Sequence, residues 1–129
     1  MRQTWFTRLL FTASLLAFVL ILTGSYLRLS DAGLAFPDFP GCNGLLFASN
    51  TAEAADSGRT YDAVQVWSAM FHRYLAVVFS LLVVSLVFLA ERMKNGPRFF
   101  WQLRLVLLLT LLQGGLGYLT ISMLLHPAV

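Results

Sequence analysis

The sequence predicts an all-α membrane protein with three transmembrane helices, built as a single module over residues 1–129. Apolar side chains make up 58% of the chain and charged ones only 12%. Three apolar runs approach the length of about 20 residues that a helix needs to cross a bilayer. Most of the positive charge behind the net +3 (Arg2, Arg8, Arg92, Lys94, Arg98, Arg104) sits beside those runs, as topology determinants do. Basic residues placed that way argue for a bilayer as the main partner and against nucleic-acid binding.

The first helix is expected over residues 9–27, with Arg2 and Arg8 as its basic start. A cleaved signal peptide is the rival reading. The run is longer than the usual apolar core of about 7–15 residues and lacks a clear small-x-small cleavage site before Arg28, so a retained helix is expected.

Residues 28–65 form a long loop. From Gly33 to Gly44 it is dense in glycine, proline and aromatics, which fix turns and suit an ordered cap over helix ends. Residues 49–60 are small and polar and read as a flexible surface segment.

The second helix is expected over residues 67–90, uninterruptedly apolar from Leu75 to Ala90. Residues 91–98, which contain Arg92, Lys94 and Arg98, form a short basic loop. The third helix covers residues 99–125 and opens on Phe99, Phe100 and Trp101, an interfacial aromatic belt. Positive-inside reasoning puts the N-terminus and the 91–98 loop in the cytoplasm and the 28–65 loop and the C-terminus outside; the expected location is the cell's inner (plasma) membrane. His72 and His126 then lie near the same outer surface.

Ionisable groups inside a span are costly and point to function. His72 and Arg73 therefore stand out at the start of the second helix. Ala69 and Ala76 flank His72 on one helical stripe, with Gln65 and Phe79 a turn further along. Small neighbours leave room for a flat macrocycle, but they are equally how membrane helices pack closely. Spacing alone thus leaves two readings of His72 open, an interfacial hydrogen-bonded histidine or a haem ligand. Arg73 suits either a propionate or the headgroups.

On the third helix, Gln113 calls for a polar partner, and Gly114, Gly115 and Gly117 permit close approach by a helix or a prosthetic group. His126 precedes Pro127 at the expected helix end, a position more typical of an exposed terminal histidine than of a ligand. With Cys42 as the lone cysteine, no internal disulfide and no two-cysteine metal or redox motif can form.

Four segments, taken in order, resemble the heme A synthase family. They are Gly24-Ser25-Tyr26-Leu27-Arg28-Leu29-Ser30, the loop from Gly33 through Pro37-Asp38-Phe39-Pro40-Gly41-Cys42 to Gly44, His72-Arg73-Tyr74-Leu75-Ala76, and Gln113-Gly114-Gly115-Leu116-Gly117-Tyr118-Leu119-Thr120. The resemblance covers nearly the whole chain. It implies oxidation of a ring methyl of haem O to the formyl of haem A, by successive hydroxylations, in the service of cytochrome oxidase. It also implies two related four-helix haem-binding halves, and this chain resembles the first of them, an incomplete four-helix bundle lacking its fourth helix.

By position, the resemblance makes His72 a ligand of haem iron, with haem b or haem O as cofactor. Arg73, Arg28 and Gln113 become cofactor-binding candidates, with Arg73 and Arg28 near the propionates, and Asp38 the nearest loop carboxylate. The partner histidine is expected on a fourth helix, a few residues beyond the Leu125-His126-Pro127-Ala128-Val129 end of the sequence. That helix would come from a second copy or another chain, and cytochrome oxidase assembly factors are further candidate partners. His126 is the alternative second ligand, disfavoured by its place at the rim.

Two further departures from the family pattern affect the chemistry. Ala69 stands where the family typically has a glutamate, three residues before the histidine, and an alanine can neither move a proton nor stabilise a cationic intermediate. Phe36 stands where many members carry a second loop cysteine. The expected function is therefore a heme A synthase-like oxidoreductase, with a non-catalytic haem-binding or haem-handling subunit, or an inactive fragment, as alternatives.

Overall fold

A computed structural model describes residues 2–34, 52–53, 60–93 and 100–124. Cys42, Asp38, Phe36 and His126 lie outside the described residues. Three long helices form the fold: α1 (Arg2–Leu29), α2 (Ala63–Glu91) and α3 (Phe100–Leu124). A single 3-10 turn, Ala32–Leu34, follows α1, and a two-residue antiparallel ladder pairs β1 (Ala52–Glu53) with β2 (Thr60–Tyr61) just before α2. The described residues are otherwise helical, in keeping with the all-α class that the apolar runs predict.

Each helix is long and apolar enough to cross a membrane, over Thr4–Leu29, Ala63–Glu91 and Phe100–Thr120. In lipid every backbone polar group must be satisfied within the segment, which makes a helix the only economical form for such runs. Hydroxyls follow the same rule: Thr12, Ser14, Ser25, Ser80, Ser85, Thr110 and Thr120 each donate to the carbonyl four residues back. Large apolar side chains such as Phe11, Phe18, Ile21, Leu81, Leu108 and Leu111 point outward, as a bilayer solvent permits.

The helix ends are set by identifiable devices. At the end of α1 the Ser30 N–H and hydroxyl both donate to Tyr26 O at 2.9 Å. Asp31 then turns the chain with φ at 52°, in the left-handed region. At the start of α2 the Asp62 N–H donates to Gln65 Oε1 at 3.1 Å, one half of a capping box. α2 closes with the Arg92 N–H donating to Phe88 O and Leu89 O, both at 3.2 Å.

Contacts show α1 and α2 to be antiparallel. At one end Phe6 and Ala13 of α1 pack with Leu86, Val87 and Ala90 of α2 and with Leu103 of α3. At the other end Leu27 of α1 and Ala32 meet Ala69 of α2. Alanines at both contacts let the backbones approach, which matters because packing rather than apolar burial drives association in lipid.

The first end is also the basic one. Glu91 and Arg104 bridge α2 and α3 at 3.0 Å, and the guanidinium groups of Arg92 and Arg104 lie over the rings of Phe88 and Phe100 at 4.7 and 4.4 Å. Aromatic rings under cationic heads are what an interfacial anchor needs. Among the described residues, α3 packs through its first half, around Leu103 and Leu107. Residues 111–120 are exposed throughout.

Candidate functional site

The polar groups of the two packed helices converge at the opposite end, where α1 finishes and α2 begins. His72 is half-buried there, turned toward α1, with its Nδ1 2.8 Å from Thr23 Oγ1. Gly24 supplies the space: a Cβ at that position would stand 3.1 Å from His72 Cε1 and 3.7 Å from Nε2. Thr23 and Gly24 thus form a socket for the imidazole on the face of α1.

One turn before His72, Ala69 is almost fully buried against Leu27 and Ala32. That alanine therefore serves helix packing, and α1 already fills the space beside it. Two turns beyond His72, Phe79 packs against the cluster at the basic end. Gln65 ties the same region together, its Nε2 donating to Ser30 O at 3.2 Å while its Oε1 accepts from Asp62.

Arg73 is 6% exposed and lies among the buried residues of α2. Among the described residues, no buried side-chain nitrogen or oxygen lacks a hydrogen-bond partner, so this guanidinium is satisfied where it lies. Arg28 is exposed at the end of α1.

The structure does not bring Gln113 to this site by any described contact. Gln113 is exposed on α3, and nothing described lies within 4 Å of a Cβ built on Gly114, Gly115 or Gly117. The close approach that these glycines permit is thus not made by α1 or α2.

Thr23 does not stand out in the sequence. The available signal was a hydroxyl next to a glycine near the end of an apolar helix, at the same membrane level as an intramembrane histidine.

No group of three or more His, Cys, Asp or Glu that could hold a bare metal ion occurs among the described residues. A haem asks for less, because the macrocycle supplies four nitrogens and the protein only an axial donor. A half-buried imidazole held from one side by α1 fits that demand.

Fold and site together define a multi-pass membrane protein whose first two helices close around one histidine. The chain belongs to the COX15-CtaA family, whose model, described as cytochrome oxidase assembly protein, matches residues 7–129. It is 37% identical over 136 aligned positions to a protein named heme A synthase from Shewanella oneidensis, covering all of this chain and 39% of that protein. It is also 29% identical over 101 positions to a heme A synthase from Bacillus licheniformis, covering 78% of this chain and 30% of that protein. The chain thus spans well under half the length of these curated relatives. No solved structure matches it.

Proposed function

We propose that the chain is a heme A synthase-like membrane module in which His72 would hold haem by its iron. It would support oxidation of a haem O ring methyl to a formyl group. The reading is carried by the half-buried His72 imidazole on α2, seated against Thr23 and Gly24 of α1, in a chain 37% identical along its whole length to a heme A synthase. Bound haem would supply the iron for the oxidation and, as haem O, the methyl group itself. The protein's part would be to hold the macrocycle by His72, to keep bulk water from it with apolar helices, and to offer the exposed Arg28 as a cationic partner for a propionate.

In this reading the basic end, with Arg8, Arg92 and Arg104, faces the cytoplasm of the plasma membrane and the histidine end faces outward. The exposed second half of α3, residues 111–120 with Gln113, is the side on which a further helix would complete the haem pocket.

One observation favours a second reading. Ala69 is 1% exposed and packed against Leu27 and Ala32, so no carboxylate serves the site from that position. A module without that acid suits haem binding or handling without turnover. Co-expression with a haem O producer, followed by pigment extraction, separates the two. Haem A in the extract supports the enzyme, whereas haem b alone supports the haem-handling module. A colourless H72A variant beside a pigmented parent is expected under both, and an unchanged pigment in H72A would remove His72 as the ligand.

A further inference from the structure

We propose that Thr23 is a positioning residue that sets the tautomer of His72, keeping the proton on Nδ1 and presenting Nε2 as the lone-pair nitrogen. A threonine hydroxyl carries one hydrogen and two acceptor lone pairs. Thr23 Oγ1 lies 3.0 Å from Val19 O and 3.2 Å from Leu20 O. Carbonyls only accept, so both hold the hydroxyl hydrogen on the backbone of α1. What Oγ1 then offers His72 Nδ1, 2.8 Å away, is a lone pair. Two lone pairs at that distance repel, so Nδ1 carries hydrogen and donates.

In a neutral imidazole with Nδ1–H, the other nitrogen is bare. Nε2 is thereby made the ligating atom, and the bond to Thr23 fixes the plane of the ring, as the outer partners of metal-binding histidines generally do. Gly24 makes the contact reachable, because a side chain there would meet the ring edge between the two nitrogens. The competing arrangement swings the hydroxyl hydrogen onto Nδ1 and leaves the hydrogen of the ring on Nε2, which would block ligation.

The ligand half of this inference rests on the proposed function; the tautomer half does not. The test uses the full chain in lipid, haem-free, labelled with 15N-histidine in an H126Q background so that His72 is the one imidazole observed. Protonated Nδ1 is expected in the parent and in T23S, which keeps the hydroxyl, and a loss of that population is expected in T23V. Protonated Nε2 in the parent, or an unchanged spectrum in T23V, overturns the proposal.

The second arm loads the same proteins with haem b. T23V should raise the midpoint potential, because the imidazole donates less electron density without its acceptor, and T23S should restore it. A potential unmoved by T23V overturns the positioning role. If H72A keeps the parent's haem spectrum, the ligand role falls while the nitrogen spectra still decide the tautomer.

Discussion

A β-carbon at Gly24 would stand 3.1 Å from Cε1 of His72, closer than the ring can accept without moving. Two effects then oppose each other in Gly24→Ala. The helix gains up to about 1 kcal/mol from replacing glycine, and overpacking against the ring costs about 1–3 kcal/mol. Thermal stability in detergent should therefore change little or fall modestly, while the contact between Thr23 and His72 is disturbed. Gly24→Leu gains a similar helix propensity but brings three more carbons against the ring, so it should lower the melting temperature clearly. A Leu variant as stable as the parent would show that the imidazole does not lie against α1.

Gln65 joins the two helices through one amide, donating to Ser30 O at 3.2 Å and accepting from the Asp62 N–H at 3.1 Å. Each bond contributes about 0.5–1.5 kcal/mol. Gln65→Leu loses both and should destabilise by roughly 1–3 kcal/mol. Gln65→Glu keeps the acceptor for Asp62 but has no donor for Ser30, so it should retain slow amide exchange at the start of α2 while loosening the end of α1. Hydrogen exchange measured at both helix ends checks this split. Equal loosening at both ends in the Glu variant would contradict it.

The three spans were legible in the sequence because lipid rewards only long apolar helices, and no other backbone form suits runs such as 75–90. His72 was legible for the converse reason, an ionisable group in an expensive place. The face α1 turns toward α2 was not. Phe11, Phe18 and Leu22 leave that helix apolar all round, so no polar stripe marks the inward side, and Thr23 and Gly24 are distinguished only once the helices are packed. In the sequence Ala69 suggests open space beside a histidine, but Leu27 and Ala32 occupy that space. A small residue signals close approach without saying what approaches.

Asp31 holds a φ of 52° immediately before Ala32, which is fully buried against Leu27 and Ala69. The left-handed turn thus delivers Ala32 to the α1–α2 contact. Asparagine and aspartate tolerate this conformation, whereas a β-branched residue does not, at a cost of about 1–2 kcal/mol. Asp31→Val should lower stability by that amount, and Asp31→Gly should stay within about 1 kcal/mol of the parent, since relieved strain is offset by the larger entropy of an unfolded glycine. Thermal unfolding of the pair checks the order. A Val variant equal to Gly would mean the turn is not held in this form.

Ala69→Glu places a carboxyl where the resemblance to heme A synthases expects one, and the packing opposes it. The methyl of Ala69 is 1% exposed and touches Leu27 and Ala32. A longer polar side chain must push α1 away or leave its oxygens buried without partners, at roughly 1–3 kcal/mol. Ala69→Gln has nearly the same volume without the charge, so the difference between the two variants isolates the acid. Both should melt below the parent, with the Glu variant lowest, and neither should convert haem O to haem A while the socket on α1 is displaced. A Glu variant as stable as the parent would mean that Leu27 and Ala32 yield readily at this contact. Haem A in its pigment extract, absent from the parent's, would identify the missing carboxylate as what holds this chain short of turnover.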